Sequence, residues 1–161
     1  MPPWMEIAYS LNGTKEFAGK ANNSTILGWA KKVGGWIASF YKGDSIPWCG
    51  LFVAHCMKEA GFPVKQDALS ALSWAKYERS CEPCVGAIMV FKRPGGGHVG
   101  FYVGEDHEAY HILGGNQADM VNVSRVEKSR HVDTRWPNAY PLSKTGRVWL
   151  TPKSKFSKNE R

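Results

Sequence analysis

The chain has 161 residues, 43% of them hydrophobic and 12% aromatic, which excludes a disordered chain and predicts one packed globular domain. A formal net charge of +7 favours anionic partners: nucleic acid, anionic lipid or an acidic cell-wall polymer. No apolar run approaches the roughly 20 residues of a membrane span, and the N-terminus lacks the pattern of a secretory signal, so we expect synthesis in the cytoplasm.

Helical patterns fill the first half of the sequence and predict helices over residues 3–11, 24–33, 36–41, 48–60 and 67–77. The helix over 48–60 has the clearest pattern, because one apolar stripe runs along it and Gly61 follows as a stop signal. We expect this helix to be buried along the stripe, with His55 on another face. The stripe consists of Cys49, Phe52, Val53, Cys56, Met57 and Ala60.

Short apolar runs separated by turns follow in the second half of the sequence. They predict strands over residues 87–91, 98–103, 109–113 and 120–126, and 147–150 is expected to close the sheet. Helices first and consecutive strands afterwards predict an α+β fold, in which N-terminal helices pack on a small antiparallel sheet.

The positive charge is concentrated near the end of the sequence, where six basic residues and a single acid, Glu160, follow position 143. We predict one domain over residues 1–150 and a basic tail over 151–161. The tail is either a solvated terminus or a contact for an anionic surface. The six basic residues are Lys144, Arg147, Lys153, Lys155, Lys158 and Arg161.

Four cysteines are too few for a disulfide-dense scaffold in a chain of this length. Cys81 and Cys84 have the spacing of half a zinc site, but the sequence offers no matching second half, so no metal site is predicted. A local disulfide or two ordinary thiols is the favoured interpretation of this pair.

Cys49 is the candidate nucleophile. It falls at a predicted helix start, where the helix dipole and unpaired backbone N–H groups favour the thiolate, the reactive form of cysteine. Gly50, which follows it, is expected to leave open space beside the sulfur.

His98 is the candidate base, because a thiol at neutral pH needs a proton acceptor. It opens a predicted strand after three glycines, and Gly100, on the same face, is expected to leave room for a helix terminus. The alternative is a solvent-facing histidine in a hairpin.

Asn116 is the candidate for orienting the His98 ring. It follows a double glycine on the next predicted strand, and its amide oxygen could accept a hydrogen bond from the imidazole. The alternative is that Asn116 is a turn residue. Gln117 is a second polar candidate nearby.

The other four histidines are not candidates for the base. His55 lies six residues after Cys49, about 9 Å along the helix axis and on a different face, so it is out of reach. His107 and His131 lie in polar stretches and are expected to be solvated, whereas His111 is expected to be packed or half-exposed in a strand.

Together these segments resemble the NlpC/P60 and CHAP superfamily of peptidoglycan amidases and endopeptidases, and more narrowly its small phage endolysins. The matching pieces are residues 47–54, 86–91, 97–104 and 113–117. The resemblance implies a papain-like fold in which Cys49 is the nucleophile, His98 the base and Asn116 the orienting residue. One departure is Gly114, where many CHAP members have a glutamate.

The resemblance further implies that backbone N–H groups at Cys49 and Gly50 hold the oxyanion and that no metal or cofactor is needed. Three aromatic residues, Trp48, Tyr102 and Trp74, are candidates for a substrate groove, although aromatic residues are more often part of the core.

The expected function is hydrolysis of a peptidoglycan amide bond during bacterial lysis, by a monomer that reaches the wall after release from the cytoplasm. The basic tail then contacts the anionic envelope. Two alternatives stay open: a basic nucleic-acid-binding module, disfavoured because no nucleic-acid-binding motif is visible, and a toxin or acyl-transfer effector of the same fold.

Overall fold

A computed structural model describes residues 1–15, 24–34 and 48–151. These ranges hold three α-helices and two short 3₁₀ helices: α1 Pro3–Ser10, α2 Ser24–Val33, α3 Cys49–Glu59, and the 3₁₀ helices Ala71–Lys76 and Lys128–Arg130. The three predictions for helices over 3–11, 24–33 and 48–60 are thereby confirmed to within a residue or two. The helix predicted over 36–41, and the basic tail beyond Thr151, lie outside the described residues.

Within the described ranges, six strands form one antiparallel sheet in the order β1-β6-β2-β3-β4-β5. The three α-helices precede the strands along the chain, which confirms the α+β class. The strands are β1 Arg79–Ser80, β2 Ile88–Arg93, β3 Gly96–Glu105, β4 Ala109–Gln117, β5 Met120–Glu127 and β6 His131–Trp136.

Two predicted elements differ from the structure. Residues 147–150 do not form a strand and contribute an isolated bridge between Glu105 and Trp149, while β6 takes the inner position between β1 and β2. The segment over 67–77 is not an α-helix but a turn followed by a 3₁₀ helix. The Ser73 hydroxyl donates there to the carbonyl oxygens of Asp67 (2.8 Å) and Ser70 (2.7 Å), a local bond that competes with helical pairing.

Helix α3 is the centre of the core, since every residue from Cys49 to Met57 is buried. It packs against α2 on one side and against β3 and β4 on the other. His55 is also buried, stacked on Trp29 of α2 with 5.3 Å between ring centroids, so the expectation of burial along a single stripe was too narrow. Short helices are marginal alone in water, and this packing is what stabilises α3.

Helix α1 closes the edge of the core next to the start of β2. The indole of Trp4 donates to the Gly86 carbonyl oxygen at 2.8 Å and makes edge contacts with the rings of Phe62, Trp136 and Tyr140.

No helix in the described ranges has the length and apolarity of a membrane span, the longest being α3 with 11 residues.

Candidate active site

Cys49 is the first residue of α3 and is 3% exposed. Burial raises the pKa of its thiol, and the backbone N–H groups of Val99, Gly50 and Cys49 itself, which favour the thiolate, offset part of that effect. The thiol is therefore protonated at rest, in a site where donors already surround the sulfur. The interaction with Val99 also brings the start of α3 against β3, one residue from His98.

Two glycines near the site have tighter surroundings than expected. A Cβ on Gly50 would lie 2.2 Å from the Ala68 carbonyl oxygen, so this glycine permits close backbone packing rather than open space beside the sulfur. The Trp74 indole donates to the same oxygen at 2.8 Å and thereby holds this segment against α3. A Cβ on Gly100 would lie 2.4 Å from Cγ2 of Ile112, so Gly100 makes room for β4 and not for a helix terminus.

His98 lies in β3, opposite Phe91 of β2, and its ring is fully buried and stacked on that phenyl ring. Its Nε2 is 2.9 Å from Oε1 of Gln117, whereas its Nδ1 is buried without a hydrogen bond. Burial lowers the pKa of His98 to about 4, with smaller contributions from Arg130 and Arg93. At neutral pH, a protonated thiol and a neutral imidazole therefore occupy adjoining segments.

The pairing of β3 with β4 brings the Gly-Gly-Asn-Gln segment next to His98, as the strand pattern predicts. The residue bonded to the imidazole Nε2 is Gln117, not the expected Asn116. Asn116 is buried beside it, with a positive φ of 60° in an irregular part of β4. The sequence named Gln117 only as a second polar candidate nearby, and regular alternation along β4 would have placed Asn116, not Gln117, on the face of Gly114.

The three aromatic residues proposed for a substrate groove lie in the core. Trp48 and Tyr102 are fully buried and Trp74 is 3% exposed, which fits the alternative that these aromatic residues belong to the core, and their role in a substrate groove stays a prediction. Trp48 fits against Gly115, where a Cβ would meet its ring at 2.8 Å. Its role is to seat the start of α3 on β4.

A second group of titratable residues surrounds Asp106, in the turn between β3 and β4. Its carboxylate accepts two hydrogen bonds from Arg125 at 2.9 Å, one from His111 at 2.7 Å, and two from the backbone N–H groups of Glu108 and Ala109. Arg125 in particular holds the pKa of Asp106 well below its usual range. His111 is thus packed, in agreement with the sequence, and this group has a structural function.

The remaining histidines differ from each other. His107 is exposed, as expected. His131 is half-buried, with its Nε2 2.8 Å from the Thr134 hydroxyl oxygen, so the expectation of a solvated ring was wrong.

Cys81 and Cys84 are both free thiols. The Cys81 thiol donates to the Cys84 sulfur, which raises the pKa of Cys81 and lowers that of Cys84. Among the residues that the structure describes, no group of three or more His, Cys, Asp or Glu side chains is placed to hold a metal ion.

The lowered pKa of His98 predicts a contribution to acid sensitivity. Unfolded histidine has a pKa of about 6.5 and folded His98 about 4, so between these values the unfolded chain binds a proton that the folded chain does not. Stability from this group is complete above pH 6.5 and is lost as the pH falls to 4, by about 3 kcal/mol.

Urea unfolding of the wild type and His98→Gln across this pH range measures that contribution. We expect a shallower pH dependence in the variant. His55, which is buried, and His131, which is half-buried, have lowered pKa values and act with the same sign, so only the difference between the two proteins is assigned to His98. Identical slopes would contradict a buried, neutral His98.

A scan against protein families matches residues 41–116 to the CHAP domain. This domain is associated with cysteine/histidine-dependent amidohydrolases and peptidases that act on peptidoglycan. The matched segment contains Cys49, His98 and Asn116 and ends one residue before Gln117. A search of curated proteins finds no match to this chain.

Proposed function

We propose that this chain, which carries the CHAP domain match, is a cysteine-dependent hydrolase that cleaves an amide bond of bacterial peptidoglycan. The observation that carries the proposal is the junction of α3 and β3. There the Val99 N–H reaches the Cys49 sulfur, and the preceding residue, His98, has a buried Nδ1 without a hydrogen bond. A nucleophile and a base on adjoining elements are what acyl transfer requires.

In the first half of the reaction, Nδ1 of His98 takes the Cys49 thiol proton as the sulfur attacks the amide carbonyl carbon and forms a C–S bond. The carbonyl oxygen becomes an oxyanion, which the backbone N–H groups of Cys49 and Gly50 stabilise at the start of α3. The C–N bond then breaks and His98 returns the proton to the leaving nitrogen.

In the second half, His98 takes a proton from water, whose oxygen attacks the thioester carbonyl carbon. The C–S bond breaks, the proton returns to the Cys49 sulfur, and a carboxylic acid is released. The raised pKa of Cys49 and the lowered pKa of His98 favour proton transfer during attack over a resting thiolate–imidazolium pair.

We further propose a papain-like arrangement and a role in bacterial lysis, by a monomer that reaches the wall after release from the cytoplasm. The net charge of +7 supports binding to an anionic envelope, with the tail over 151–161 as the contact. The resemblance to phage endolysins in four segments of the sequence supports this role.

Digestion of purified peptidoglycan, followed by mass spectrometry of the released fragments, tests the function. We expect each cleavage to produce one new amine and one new carboxylic acid. Release of whole stem peptides identifies an amidase, and shortened or separated peptides identify an endopeptidase. Absence of new termini under reducing conditions, together with salt-dependent DNA binding, would favour the nucleic-acid alternative.

A further inference from the structure

We propose that Gln117, at the end of β4, is the positioning residue for His98: it holds the imidazole with its proton on Nε2 and leaves Nδ1 to accept the thiol proton. The inference rests on the proposed hydrolysis. It assigns to Gln117 the role that the family resemblance gives to Asn116.

The orientation of the Gln117 amide follows from its other contacts. Its Nε2 donates to the carbonyl oxygen of Ile112 at 3.1 Å and to the carbonyl and side-chain oxygens of Asn122 at 2.7 and 2.9 Å. All three are acceptors in these contacts, so the NH₂ group must face them, and Oε1 must face His98. Because a carboxamide oxygen is only an acceptor, Nε2 of His98 carries the proton that fills the 2.9 Å contact.

The proton on Nε2 leaves Nδ1 as the basic nitrogen of the neutral ring. Nδ1 is buried and lacks a hydrogen bond, which is a costly condition for a polar atom inside a protein. In the proposed reaction, this acceptor takes the proton of the Cys49 thiol, whose sulfur lies at the backbone N–H of the next residue, Val99. The opposite tautomer would carry its proton on Nδ1, which could then not accept the thiol proton.

A bulge in β4 explains why Gln117, and not Asn116, reaches the ring. Gly114 pairs with Asn122, and Gln117 pairs with Met120. Between these two pairs the chain advances by three residues along β4 but by only two along β5, so β4 contains one extra residue. The extra residue reverses the alternation of faces, and Gln117 thereby shares the face of Gly114.

Gly114 makes the space that the Gln117 amide occupies. A Cβ at Gly114 would lie 2.9 Å from Oε1 of Gln117 and 3.4 Å from Nε2 of His98. A side chain at position 114 would therefore crowd the Gln117 amide, and its absence lets a carboxamide from three residues later lie next to the imidazole.

A neutral acceptor has a different electrical effect from a carboxylate. A carboxylate beside the ring would stabilise the imidazolium and raise its pKa, whereas the amide does so only through one dipole. The charged groups that act on His98 are Arg93 and Arg130, and both lower its pKa in addition to burial. The arrangement thus keeps His98 neutral and available as a base down to about pH 4.

Two measurements test the proposal. Nitrogen NMR of the His98 imidazole reports the tautomer and does not depend on enzymatic activity, and kinetics of peptidoglycan hydrolysis report kcat and KM. In the wild type we expect the tautomer with a proton on Nε2. Gln117→Leu should mix the tautomers and lower kcat on the order of 10²-fold with little change in KM. Gln117→Glu retains an acceptor, so it should recover part of kcat and move the acid limb of kcat/KM upward from about pH 4 by one pH unit or more.

Two further variants separate positioning from folding. Gly114→Ala keeps Gln117 but displaces its Oε1, so it should also weaken the tautomer preference. Asn116→Gly keeps the positive φ and removes only the side chain, so the tautomer should be retained.

The proposal is overturned if Asn116→Gly abolishes the preference while Gln117→Leu and Gly114→Ala preserve it. It is likewise overturned if the wild type carries the proton on Nδ1. A wild type that shows the expected tautomer but cleaves no peptidoglycan would remove the proposed function and with it the role in hydrolysis.

Discussion

Replacement of Cys49 by alanine is expected to lower kcat/KM for peptidoglycan hydrolysis by at least about 10⁴-fold, because no other group can form the thioester. The change removes a single sulfur at the start of α3, where no side-chain cap is present. The fold should therefore persist, and circular dichroism together with urea unfolding would show this. Loss of activity with retained structure is the expected pair of results.

Cys56→Ala is the matched control for this prediction. Cys56 is fully buried in the same helix, and burial raises the pKa of its thiol well above the ordinary value, so it is an inert core residue. We expect a loss of stability on the order of 1 kcal/mol from the missing sulfur, with kcat/KM within a few-fold of wild type. Equal activity in wild type and Cys49→Ala, or equal losses in both variants, would contradict the assignment.

Asp106→Ala is expected to reduce the free energy of unfolding by about 3–5 kcal/mol. The Asp106 carboxylate is 6% exposed and accepts five hydrogen bonds, so its removal leaves the buried Arg125 guanidinium and His111 without their shared anion. Chemical denaturation at neutral pH measures the loss. A loss of this size consumes a large fraction of the stability of a typical domain.

Glu82→Ala is the control for the Asp106 prediction. Its carboxylate is 91% exposed and 3.6 Å from Arg147, and an exposed ion pair of this kind contributes about 0–1 kcal/mol. If both variants lost the same small amount, the Asp106 group would behave as a surface pair, and its assignment as a structural centre would be wrong.

Elements with strong local patterns could be predicted from the sequence. The apolar period and the stop signal at Gly61 defined α3, and the glycine-separated apolar runs defined β2 to β5. Strand β6 was missed because only Thr134 and Trp136 are buried and most of its other positions are polar, which gives it no apolar run. The 3₁₀ helix Ala71–Lys76 was mistaken for an α-helix, because the hydrogen bonds of the Ser73 hydroxyl do not change the spacing of apolar residues in the sequence.

The site was predictable where chemistry depends on residue type and position along one element. Cys49 at a helix start and His98 on a nearby strand are of this kind, and the structure brings their segments together. The Asp106 group was not predictable, because its partners come from separate strands and only the register joins them. Crowding around Gly50 was also hidden, since it depends on a carbonyl oxygen eighteen residues later, that of Ala68.

The bulge in β4 has a consequence for comparisons among homologues. The family match ends at residue 116, so Gln117, whose amide oxygen contacts the imidazole, lies one residue beyond it. Residues that align in sequence then need not occupy the same position next to the imidazole. A one-residue insertion or deletion in such a strand is enough to change which side chain faces the imidazole, so sites of this kind are best compared by strand register.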